Sequence, residues 1–114
     1  MLWVRYHINY LRMWRKAAKA IANAVKDLGL NATVYVVGGA AENRLTVLSD
    51  VDVAIVLCEE LYPEKVKEIR RQVMRIAIDK YELPWDYPVD IHVMSCEEFR
   101  KMFIDKNKSV VKVE

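Results

Sequence analysis

At 114 residues the chain has room for one ordinary domain, spanning 1–114, and too little for two. With 54% hydrophobic residues, three glycines and three prolines, its composition excludes a linker-rich, collagen-like or disordered chain. The formal net charge of +2 is spread over Arg12/Arg15/Lys16/Lys19 and Lys65/Lys67/Arg70/Arg71/Arg75, which read as solvated helix faces, so nucleic acid is not expected as a direct substrate.

Ile8, Leu11, Trp14, Ala18, Ile21, Val25 and Leu28 recur at steps of three and four, which predicts a first helix with one apolar face, ending near Gly29. Asn31 to Val37 is β-branched and mostly apolar, a strand that ends at Gly38-Gly39. Residues 40–49 predict a short helix or turn and then a loop. Asp50 to Leu57 is the second strand, with Asp50, Asp52, Ala54 and Val56 on one face and Val51, Val53, Ile55 and Leu57 on the other. Pro63 suits the first turn of a helix running to about Tyr81, with Val66, Ile69, Val73 and Ile76 as its buried stripe.

Pro84 and Pro88 bracket a loop whose Trp85 and Tyr87 are expected to pack against the domain, with stacking on a nucleobase the alternative. Val89 to Met94 is the third strand. Ser95-Cys96-Glu97-Glu98 has the form of a capping box, so a last helix begins there and reaches about Ile104. The tail Ser109 to Val113 reads as an edge strand or as disordered. The order α-β-(α)-β-α-β-α predicts an α/β (α+β) fold, helices packed on a small mixed sheet.

Cys58 and Cys96 form no CxxC and no ligand cluster with His7 or His92, so free thiols in a reducing cytoplasm are expected. The N-terminal residues have no secretory pattern, and no run approaches the ~20 apolar residues of a membrane span. One glutamine in a chain rich in charged residues points to a thermophilic source.

The chemistry concentrates in Gly38-Gly39, ten residues, Asp50-Val51-Asp52, and later Asp90 within Pro88-Val89-Asp90-Ile91-His92-Val93. Adjacent glycines after a strand let a ligand approach the backbone closely, and a helix starting there would aim free N–H groups at a phosphate. Asp50 and Asp52 supply the hard oxygens that Mg²⁺ takes, with phosphates completing its shell. The plain reading of Asp50 is an acid at a loop-to-strand junction. Asp90, between Val89 and Ile91, is costly to bury unless something positive meets it, although an edge strand facing water would tolerate it.

His92 shares the face of Asp90 and reads first as a structural histidine, with a bond to a site carboxylate or phosphate the alternative. Ser49 caps or orients the loop before the first acid, and Arg44 either reaches a phosphate or stays an exposed loop residue. Trp3, Tyr6, Tyr10 and Trp14 form an aromatic stripe, either core or a protein-binding surface.

These residues resemble the nucleotidyltransferase superfamily that includes DNA polymerase beta, and within it the minimal nucleotidyltransferase (MNT) proteins. The hallmark there is Gly-Ser, ten residues, Asp-x-Asp and a later strand acid. The resemblance covers roughly Val34 to Met94. It implies a polymerase beta palm-like fold and transfer of NMP, foremost AMP, from ATP or another NTP to a hydroxyl.

It also implies two Mg²⁺ ions on Asp50 and Asp52, with Asp90 holding the catalytic one and helping to activate the hydroxyl. The phosphates would sit over Gly38 and Gly39, with Ser49 beside them. The usual serine is Gly39 here, which removes one hydroxyl from the phosphate site. Minimal relatives often pair with a helical HEPN toxin, so a HEPN-family partner is expected, with a homo-oligomer also open and no membrane partner. The alternatives are a stoichiometric binding antitoxin of the same fold, or a stand-alone transferase acting on a small molecule or an RNA end.

Overall fold

The computed structural model describes residues 12–45 and 50–113. Helix α1, Trp14–Asp27, turns its apolar face inward, burying Trp14, Ala18, Ile21 and Val25 together with four further alanines. Small side chains let it lie close to its neighbours. It stops as its glycine requires: Gly29 has φ +68°, and Leu30 N–H reaches back to Val25 O while Gly29 N–H donates to Lys26 O. This is the left-handed cap that Cβ-bearing residues adopt only with strain. Ile8, Leu11 and the stripe Trp3/Tyr6/Tyr10 lie outside the described residues.

Strands β1 (Ala32–Val37), β2 (Val51–Leu57), β3 (Val89–Ser95) and β4 (Val111–Val113) form one sheet in the order β3-β2-β1-β4. β1 is antiparallel to both β2 and β4, whereas β2 and β3 are parallel. A parallel pair needs a long crossover, and helix α3, Pro63–Tyr81, supplies it. The tail therefore resolves as an edge strand, and β3 forms the opposite edge.

The period of two divides the sheet cleanly. Val34, Val36, Val51, Val53, Ile55, Leu57, Ile91 and Val93 face α1 and α3 in the main core. On the other face Val37, Ala54, Val56 and Met94 pack with Phe99, Phe103 and Tyr35. In α3 the buried residues are Ile69, Val73 and Ala77, four apart, while Val66 and Ile76 are only partly covered. Ala77 thus replaces Ile76 in the expected stripe, because the i, i+4 row rather than the i, i+3 row lies against the sheet.

Ser95 caps α4, Cys96–Phe99, with a complete capping box: Glu98 N–H donates to Ser95 Oγ at 3.1 Å, and the Glu98 carboxylate accepts from Ser95 N–H at 3.4 Å. The helix continues as a π turn, Arg100–Ile104, matching the expected end at Ile104. In the loop before β3, Tyr87 is buried as expected but Trp85 is 81% exposed.

The expectation of free thiols is corrected: Cys58 and Cys96 are disulfide-bonded, with Cα atoms 4.7 Å apart. The parallel register pairs Leu57 with Ser95, so the next residue on each strand is a cysteine and the two fall side by side. Residues 38 positions apart in sequence give no hint of this. Among the described residues no helix is long and apolar enough to cross a membrane.

Candidate functional site

The site forms where β1 gives way to a turn beside the start of β2. Val37, the last residue of β1, pairs with Asp52. Gly38 then takes φ +67° and opens the four-residue helix α2, Gly38–Ala41. A Cβ built on Gly38 would stand 2.7 Å from Asp52 Oδ2, so a side chain there would collide with the carboxylate. Gly39 is under no such constraint; its Cβ would meet the Arg44 carbonyl oxygen at 3.4 Å. The turn is closed by Glu42 N–H to Gly38 O (3.0 Å) and Arg44 N–H to Gly39 O (2.7 Å).

In the parallel ladder Asp52 pairs with Asp90, and Ala54 with His92. Alternation puts Asp52, Asp90 and His92 on the face away from α1 and α3. His92 Nε2 lies 3.1 Å from Asp52 Oδ1 and 3.5 Å from Asp90 Oδ2. One ligand atom from each of the three residues falls within 4.8 Å of the others. Two like charges in register repel by about 1 kcal/mol at 4 Å in water and more where water is displaced, so the pair favours a cation between them.

Asp90 is exposed, its side chain 56% accessible, because β3 is an edge strand. The cost expected for burying it does not arise. Asp52 is half-buried, at 32%. Asp50 is exposed in the residue before β2 and stands outside the Asp52–Asp90–His92 cluster. Arg44 forms an ion pair with Glu42 on the surface. Ser49 lies outside the described residues.

Beside the cluster is a cleft of about 220 Å³ lined by Val37, Gly38, Asp52, His92, Met94, Met102 and Phe103. Its lining combines one carboxylate and one imidazole with two thioethers and an aromatic ring. The donor set fits a divalent cation: carboxylate oxygens suit Mg²⁺ or Mn²⁺, and the imidazole nitrogen suits transition metals. His92, which the sequence left between a structural role and a bond to a site carboxylate, contacts the Asp52 carboxylate. Its signal was present in the two-residue spacing from Asp90, but only the ladder shows that it leans towards Asp52 on the neighbouring strand.

A family model described as a nucleotidyltransferase domain matches residues 18–113. No curated protein matches the sequence. Among solved structures, a protein from Sulfolobus solfataricus assigned provisionally as a nucleotidyltransferase superposes with a TM-score of 0.58 at 21% identity, covering 93% of this chain and 84% of its own. That likeness shows the shared fold. A second chain with the same provisional assignment has a TM-score of 0.45 at 25% identity, with 80% of this chain and 89% of that one covered.

Proposed function

Because the chain belongs to the nucleotidyltransferase domain family, we propose that it is a metal-dependent enzyme moving NMP, foremost AMP, from an NTP to a hydroxyl. The observation that carries this reading is the pairing of Asp52 with Asp90 directly beside the Gly38 turn. Asp52 and Asp90 would hold the catalytic cation, with Asp50 joining Asp52 at a second. A bound divalent cation would neutralise phosphate oxygens and the charge developing on departing pyrophosphate.

The chain's own groups do the rest by position. Gly38 and Gly39 leave the backbone open to the phosphates. The Asp90 carboxylate, exposed at the edge of the sheet, accepts the proton as the acceptor oxygen bonds to the α-phosphorus. The bond from that phosphorus to the bridging oxygen breaks, and pyrophosphate leaves.

The acceptor is proposed to be a tyrosine hydroxyl on a HEPN-family partner, with this chain as the antitoxin. An exposed Asp90 and an open cleft support an acceptor delivered by another protein. Calorimetric titration of MgATP tests the site, using wild type, Asp50→Asn and Asp52→Asn with Mg²⁺ omitted as control. Mg²⁺-dependent binding that both variants lose supports the reading, as does transfer of α-phosphate label to a partner. Binding indifferent to both substitutions would overturn it.

A further inference from the structure

We infer that His92, through Nε2, is a third ligand of the cation site proposed at Asp52 and Asp90, and that it makes that site select a first-row transition dication over Mg²⁺. Two ligands on one cation with bonds of about 2.1 Å stand about 3.0 Å apart at octahedral and about 3.4 Å apart at tetrahedral angles. His92 Nε2 is 3.1 Å from Asp52 Oδ1 and 3.5 Å from Asp90 Oδ2. Both lie close to the separations of adjacent ligands on a single ion, and the three ligand atoms all fall within 4.8 Å of one another. The three side chains are 41%, 32% and 56% accessible, so an ion can reach them with its remaining positions open to water or phosphate.

Donor chemistry then sets the preference. Mg²⁺ dehydrates reluctantly and gains little from a nitrogen ligand. Imidazole strengthens binding along the series from Mn²⁺ towards Cu²⁺, so exchanging a carboxylate-only site for one with His92 raises Co²⁺ affinity while leaving Mg²⁺ nearly unchanged. The backbone favours the arrangement, since a residue two positions after Asp90 returns to the same face and its cross-strand neighbour is the short Ala54.

The test titrates metal-free protein with Co²⁺, followed by its visible absorption, and with Mg²⁺ by calorimetry, in wild type, His92→Ala, His92→Gln and Asp52→Asn. Wild type is expected to bind Co²⁺ at least about tenfold more tightly than Mg²⁺. His92→Ala and His92→Gln should each lose about tenfold in Co²⁺ affinity, with Mg²⁺ affinity held within about twofold.

Electron-spin-echo spectra of the Mn²⁺-loaded wild type should carry nitrogen coupling that His92→Gln lacks. That measurement decides the matter even where His92→Ala folds poorly. If both ions bind through Asp52 but the His92 variants change neither affinity nor nitrogen coupling, His92 only hydrogen-bonds the acids and the selectivity is overturned while the cation site stands. If neither ion binds wild type, or Asp52→Asn binds as well as wild type, the cation site falls and His92 ligation falls with it.

Discussion

Gly38 and Asp52 fit together so closely that a single added carbon on Gly38 would come within 2.7 Å of the Asp52 carboxylate. The turn that ends β1 and the acid that begins the site on β2 are therefore one mechanical unit. Gly38 serves twice, since its φ of +67° also excludes ordinary side chains.

Gly38→Ala should therefore damage site and fold together. The left-handed backbone costs an alanine about 1–2 kcal/mol, a shift of roughly 4 °C or more in Tm for a domain of this size. The new methyl should also push Asp52 out of line with Asp90. Thermal melts and calorimetric Mg²⁺ titration on the folded variant check this, and cation binding at wild-type strength would show that Asp52 does not depend on the turn.

Gly39→Ser should behave in the opposite way. Gly39 has no positive φ, and among the described residues a Cβ there meets only the Arg44 carbonyl group, its oxygen at 3.4 Å and its carbon at 3.8 Å, so serine fits with little adjustment. The hydroxyl supplies a donor to a phosphate, a charged acceptor worth about 1.5 kcal/mol, or roughly tenfold in affinity. Titration of MgATP into the variant should show tighter binding with Tm almost unchanged. Equal or weaker affinity would mean that the phosphates do not pass over this turn.

The Cys58–Cys96 bond closes a loop across 38 sequence positions, from the end of β2 through α3 and β3 to the start of α4. Chain-entropy reasoning puts its contribution at about 2–4 kcal/mol, mostly by restricting the unfolded chain. The double variant Cys58→Ser/Cys96→Ser, or the reduced wild type, should melt roughly 10 °C lower. The site lies at the other end of the β2–β3 pair, so MgATP affinity should be unaffected. A Tm unaltered by reductant would contradict the stapling role.

The two long helices are joined by Asp27, whose Oδ2 accepts from Lys80 Nζ at 2.8 Å and from the Tyr81 hydroxyl at 2.7 Å. The Lys80 hydrogen bond, then that of Tyr81, holds the Asp27 carboxyl below its ordinary range. A lowered acid contributes stability above its unfolded pKa of about 3.9, and that stability fades as pH falls through the lower folded value. Lys80 is raised by the hydrogen bond it donates to the same carboxylate, so its share is present below about 10.4 and is lost as pH rises through the higher folded value. Melts of wild type and Asp27→Asn should differ most between about pH 5 and 9 and converge at both extremes. A gap constant with pH would show that packing, not charge, joins the helices at this point.

Much of the fold was legible because periodicity is local. Steps of three and four in Trp14–Asp27, alternation in Val51–Leu57, Pro63 at a helix start and the Ser95–Glu98 capping box each depend on neighbours a few residues away. The acids Asp52 and Asp90 were legible as well, since charge inside an apolar strand is a local anomaly.

Whatever depended on which strand lies beside which was not legible. β3 being an edge leaves Asp90 in water rather than buried. The parallel register brings Cys58 against Cys96 and Asp52 against Asp90, with His92 joining the two acids. Helix and strand patterns, turn glycines and caps follow from short-range sterics and hydrogen bonding, which residue order alone encodes. Pairings across 38 or 40 positions depend on how whole elements pack, and one residue of register would turn every such side chain to the opposite face.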